Sequence, residues 1–242
     1  MFEKIREKGF QVVTLHHAEA ILKHDMSTAV DELEALLLDV YIPVVELVQG
    51  GGGEGELTQR LRKTLSDTYG WKKHHFEIKK IVDGKEKESL SHEVDHVKVF
   101  TGGTFALEIE WNNKDPFYDR DLENFKRLHA EGVISIGAII TRGASLQDGL
   151  RELIETFAHK EGISDIAKVS KFYTPTERQR DIIKKTSVSK GSFEQGWAHA
   201  FVSDKFGEAT THWRKLEDRL HRGVGNPCPL LLIGIPKNVV AI

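Results

Sequence analysis

The chain is 242 residues long, 39% hydrophobic and 29% charged, with a formal net charge of −3. That composition indicates one large water-soluble globular domain and excludes a protein that holds nucleic acid through overall basicity. The lone cysteine, Cys228, excludes a disulfide framework and a multi-cysteine zinc site, and the apolar segment after it points to burial.

The opening Met1-Phe2-Glu3-Lys4-Ile5-Arg6 is charged and helix-like rather than a leader, and no apolar run reaches membrane-spanning length, so a cytoplasmic protein is expected. Residues 18–40 carry Ile21, Leu22, Met26, Val30, Leu33, Leu36 and Leu37 at mostly helical spacing, with Asp25 or Ser27 as a cap or break. Pro43 ends that helix, and residues 44–48 read as a short extended piece. The glycine run at 50–53 reads as a flexible connection; it lacks the Gly-Lys-Ser/Thr ending that a phosphate-binding loop needs. A helix over 56–69 follows and stops at Gly70. Glu54 and Glu56 at its start have two readings, carboxylates that reach a metal or acids favoured by the helix dipole. Residues 76–82 predict a strand and residues 85–88 a charged turn.

The next stretch is the most informative. Val94, Val97, Val99 and Phe100 mark a strand, Thr101-Gly102-Gly103-Thr104 a turn, and residues 105–111 a second, alternating strand. Side chains two apart share a sheet face, so Glu108 and Glu110 point the same way. A turn centred on Gly102-Gly103 brings Asp95 to the Glu110 end of the partner strand. Three convergent carboxylates need a cation between them, and an oxygen-only donor set suits Mg²⁺. The competing reading is an edge hairpin whose polar face meets water.

A polar turn over 112–116 leads to a helix over 117–130 with Leu122, Phe125 and Leu128 on its apolar face, closed by Gly132. Residues 133–140 form a β-branched apolar run, hence a buried strand, and Thr141-Arg142-Gly143 follows at its C-terminal end, where α/β sheets place binding loops. A helix over 146–157 precedes a weakly periodic stretch running to about Gly196. Within that stretch, residues 168–190 are basic through Lys168, Lys171, Arg178, Arg180, Lys184, Lys185 and Lys190, which is either a solvated face or a phosphate contact. A helix that opens over 207–213 and runs through Leu216 and Leu220 to His221, a turn over 223–227 and a buried strand over 230–235 complete the chain. Hairpin, helix and buried strand in that order indicate an α/β fold with a mixed central sheet flanked by helices. None of the 12 histidines stands in a metal-binding pattern, and His96 and His212 read as structural by default.

Several of these segments resemble type II restriction endonucleases of the BglII/BstYI group. The resemblance rests on Val94-Asp95-His96-Val97-Lys98, on Glu108-Ile109-Glu110-Trp111-Asn112-Asn113-Lys114-Asp115-Pro116-Phe117, and on Arg120-Asp121-Leu122-Glu123-Asn124-Phe125. It continues through Ile139-Ile140-Thr141-Arg142-Gly143 and Ala209-Thr210-Thr211-His212 to Pro227-Cys228-Pro229. It implies a restriction-endonuclease-like core whose signature is an Asp followed by Asp/Glu-x-Lys, here Asp95 followed by Glu108-Ile109-Glu110. Glu110 stands where the broad superfamily has lysine; BamHI-type enzymes also use Glu-x-Glu.

The resemblance implies a single nuclease domain over 1–242, with an N-terminal helical part to 70, a catalytic core over 71–160 and a DNA-contacting and C-terminal part over 161–242. Asp95, Glu108 and the carbonyl of Ile109 are expected to bind Mg²⁺, with Glu110 as base or further ligand and Lys114 assisting at a phosphate oxygen. Lys98 is the weaker lysine, being of opposite strand parity to Asp95. Arg142, Thr210, Thr211 and His212 are the candidates for DNA contact, with a cap or carboxylate partner as the plain alternative for Arg142. Further implications are a homodimer on double-stranded DNA at a GATC-centred palindrome, cut to leave 5′ overhangs, and a cognate methyltransferase in the host. The rival readings are a nuclease without sequence recognition and an inactive DNA-binding protein on the same fold.

Overall fold

The computed structural model describes residues 1–50 and 54–242, so the expected flexible connection at Gly51 to Gly53 lies outside the described residues. Its centre is a six-stranded mixed sheet. The strands are β1 (Gln11–Leu15), β3 (Lys72–Val82), β4 (Lys85–Phe100), β5 (Gly103–Glu110), β6 (Ile136–Arg142) and β7 (Leu230–Ile235), while β2 (Ile42–Pro43) and β8 (Val240–Ala241) form a small parallel pair. The spatial order is β1-β7-β6-β5-β4-β3, with β5, β6 and β7 mutually parallel and the remaining pairings antiparallel. This is the mixed, helix-flanked sheet of a restriction-endonuclease-like fold.

Helices α1 (Glu3–Glu7), α2 (Ala18–His24), α3 (Ser27–Leu38), α4 (Val44–Val48) and α5 (Glu56–Asp67) precede the β4–β5 hairpin, and α6 (Phe117–Ala130) joins β5 to β6. Between β6 and β7 lie α7 (Ala144–Lys160), α8 (Ile166–Val169), α9 (Glu177–Lys190), α10 (Phe193–Lys205) and α11 (Trp213–His221). The alternation of β5 sorts its side chains: Phe105, Leu107 and Ile109 enter the large core shared with α1 to α5, α7 and α10. Ala106 enters the smaller core, where Tyr118, Leu122, Phe125 and Leu128 of α6 meet Trp213 and Leu216 of α11. Glu108 and Glu110 have the parity of Ala106 and therefore face α6.

Several expectations need correction. Residues 44–48 are helical, because Val44, Leu47 and Val48 are buried at i, i+3 and i+4 and Pro43 stands at the N-cap. Residues 85–88 belong to β4; the turn is Asp83-Gly84, both with positive φ (51° and 73°), the conformation of a two-residue hairpin. The β4–β5 turn is Thr101-Gly102, since Phe100 pairs with Gly103. That moves the register by two residues and places Asp95 next in line with Glu108, one step beyond the His96–Leu107 pair, rather than with Glu110.

Candidate active site

Glu108 and Glu110 owe their position to β5 running into the sheet between β4 and β6, which leaves them only 4% and 3% exposed. Burial is the main force raising both carboxyls, Glu108 well above the usual carboxylate range and Glu110 to about 8. The charges of Asp121, Asp95 and Glu110 push Glu108 further in the same direction. Glu110 is held by two direct hydrogen bonds and one relayed contact. Asn113 Nδ2 donates to its Oε2 at 2.8 Å, the Thr141 hydroxyl donates to its backbone carbonyl at 2.7 Å, and Tyr118 OH lies 2.6 Å from that hydroxyl.

Asp95 reaches the same face through a β-bulge. The β3–β4 register passes from Lys72 opposite Val97 to His74 opposite Val94, so Asp95 and His96 together oppose Lys73. The extra residue lets Val94 and Val97 both enter the smaller core despite their odd spacing. Asp95 remains exposed, 3.6 Å from Lys73 Nζ, which is also paired with Glu93 at 2.6 Å. Asp95 stands next in line with Glu108 beyond the His96–Leu107 pair, and among the described residues no three His, Cys, Asp or Glu side chains are already gathered as a cation cage.

Two residues missed in the sequence complete the cluster. Asp121 of α6 is 0% exposed; burial, with a smaller push from the charge of Asp95, raises it against the pull of Arg120. Arg120 is half exposed, stacks on Phe117 at 4.3 Å, binds Asp121 Oδ1 at 2.8 Å and lies 3.9 Å from Glu110 Oε1. The missed signal was the spacing Tyr118, Asp121, Leu122, Phe125: a carboxylate inside an apolar helical stripe. Three buried carboxylates beside one guanidinium leave the site short of positive charge, and Asp121 Oδ2 is buried without a partner. An oxygen-only donor set with that deficit fits a hard divalent cation.

The expected DNA-contacting residues divide. Lys114 is exposed, its backbone bridged to Thr210. Arg142, by contrast, is 0% exposed: its guanidinium donates to Asn112 Oδ1, Thr210 Oγ1 and the Thr211 carbonyl, each at 2.7 Å, and lies 4.9 Å over Phe206. Burial pushes it down to about 10. As placed it ties the ends of β5 and β6 to the segment before α11. Thr211 is buried with its hydroxyl accepting from the Asn113 backbone at 3.0 Å, and His212 is buried and driven to about 4, chiefly by burial. With the imidazole lowered so far, the 3.8 Å approach of His212 to Glu208 carries no ion pair at neutral pH. Lys98 serves the opposite face, donating to Glu32 at 2.5 Å and to the Tyr69 carbonyl at 2.6 Å. Glu54 pairs with Arg62 at 2.8 Å and Glu56 lies 3.9 Å from Arg60.

A mixed sheet flanked by helices, with buried glutamates on the strand leading into a covering helix, is the architecture of a restriction-endonuclease-like fold. A family model described as restriction endonuclease BglII/BglIII matches residues 10–235, and the chain belongs to that family. No curated protein matches the chain. Among the described residues no helix is long and apolar enough to cross a membrane.

Proposed function

We propose that the whole chain acts as one Mg²⁺-dependent type II endonuclease. Its substrate is double-stranded DNA at a short, GATC-centred palindrome, cut by a homodimer to leave 5′ overhangs, in the cytoplasm beside a cognate methyltransferase. The observation that carries this reading is the match to the BglII/BglIII family over residues 10–235, in a chain whose Glu108 and Glu110 are buried side by side on one strand. Asp95, Glu108 and the Ile109 carbonyl would hold the cation. When bound, Mg²⁺ neutralises charge that develops on the phosphoryl oxygens. Glu110, with its raised carboxyl, is suited to take the proton of the attacking water near neutral pH. Asn113 fixes one of its oxygens and leaves the other to the substrate side. Lys114 and the exposed Arg178, Lys184, Lys185 and Lys190 of α9 supply phosphate contacts that orient the duplex without reading it.

Digestion of a plasmid of known sequence with Mg²⁺, followed by sequencing of the ends, tests this. Discrete fragments with palindromic ends are expected. A smear of random cuts keeps the nuclease and removes the site specificity, and intact plasmid with every divalent metal removes both.

A further inference from the structure

Asp121 has no part in the reaction as just described, yet it is the least economical side chain of the cluster. It lies in the apolar stripe of α6 between Tyr118, Leu122 and Phe125, where a leucine would serve the core better than a carboxylate. Its Oδ1 accepts from Nε and Nη2 of Arg120, both at 2.8 Å. Its Oδ2 is buried with no hydrogen-bond partner, and Arg120 Nη2, 2.8 Å from its Oδ1, lies 3.9 Å from Glu110 Oε1. Glu110 is held from the other side by Asn113 at 2.8 Å. The two carboxyls therefore share the Arg120 guanidinium, while Asn113 holds one Glu110 oxygen and leaves the other free.

We propose that Asp121 is a positioning residue: clamped by Arg120 and set against Glu110, it fixes the direction in which Glu110 presents its free oxygen to the attacking water. The proposal rests on the nuclease reading. Small displacements of a reacting group cost rates disproportionately, so loss of the clamp is expressed in the chemical step rather than in DNA affinity.

The test compares wild type, Asp121→Ala, Asp121→Asn and Asp121→Leu in single-turnover cleavage, with DNA affinity measured by gel shift without metal and folding checked by thermal melting. Asp121→Ala is expected to slow cleavage about 100-fold with DNA affinity unchanged. Asp121→Leu fills the stripe with an apolar group and is expected to be at least as well folded and equally slow. Asp121→Asn recovers a large part of the loss, because its Oδ1 still accepts from Arg120 while its Nδ2 donates to Glu110. In a Glu110→Ala background, Asp121→Ala costs little more, since the two residues act as a unit. Wild-type cleavage rates in Asp121→Leu, an asparagine variant as slow as the alanine one, or additive losses in the double variant would each overturn the proposal. Wild-type protein that leaves all DNA intact removes the nuclease reading and this proposal together, whereas a cleaving wild type with additive variants removes this proposal alone.

Discussion

At the scale of single residues, the metal-free cluster is a source of strain, and its sign with pH can be worked out. Glu110 is raised from 4.5 to about 8 in the folded chain, so the folded state holds its proton more tightly than the unfolded one. The stability this contributes is fully present below 4.5 and is lost as pH rises through about 8. Glu110→Gln, which carries no such charge, is therefore expected to melt above wild type at pH 8 in chelator, with the gap closing toward pH 5. Thermal melts across that range check it, and a gap that widens on acidification would contradict it. Glu108→Ala and Asp95→Ala are expected to abolish cleavage while leaving the fold intact. Near-wild-type cleavage by either would remove the site assignment. Arg142→Ala should act on stability instead: losing three hydrogen bonds from a buried cation costs about 3 kcal/mol. Denaturant unfolding should show a lower midpoint at unchanged slope, and cleavage-site preference should stay as in wild type.

At the scale of elements, α6 is what brings Asp121 and Arg120 to Glu110, and its seat depends on a glycine. A Cβ at Gly137 of β6 would stand 2.6 Å from Cδ2 of Phe125, so the bare backbone there lets α6 lie close to the sheet. Gly137→Ala is expected to destabilise by about 1–3 kcal/mol through overpacking and to slow cleavage by lifting α6; a melt and a rate on the same sample check both. The elements that were legible in the sequence are those whose hydrophobic period is strong: α6 over Phe117–Ala130, β5, β6 and β7. The edge strand β1 and the weakly amphipathic α9 and α10 were not. Only Ile183 of α9 is buried, so its helical state is carried by the Thr176–Gln179 capping box rather than by an apolar stripe. The same Ser/Thr-x-x-Gln signal recurs at Ser192 and Gln195, ahead of α10, and was available in the sequence. That Glu108 and Glu110 share a face was legible, because both lie two apart on one strand. The bulge at Asp95, Asp121 behind it and the burial of Arg142 depend on how separate elements meet, which no local pattern records.

At the scale of the whole molecule, the sheet divides its labour: the parallel strands β5, β6 and β7 form a core buried from both faces, while β3 and the outer part of β4 make a long, largely exposed hairpin. If the chain pairs on a palindrome as proposed, sedimentation should find a dimer of about 2 × 27.4 kDa, and DNA affinity should fall with salt as counterions are released; a monomer both free and on DNA would contradict the two-fold arrangement. The bulge described above has a consequence for how this architecture tolerates change in length. Pairing of β4 with β5 begins at His96, and pairing of its other edge with β3 resets at the doubled step beside Lys73. The hairpin tip and the catalytic segment thus keep separate alternation, joined by a residue that takes up the phase difference. Trimming one facing pair, such as Val82 with Lys85, shortens the outer ribbon without moving any residue from His96 to Glu110 to the other side of the sheet. Reach away from the body and geometry at the carboxylates can therefore be varied independently, as the blade and the grip of one tool can.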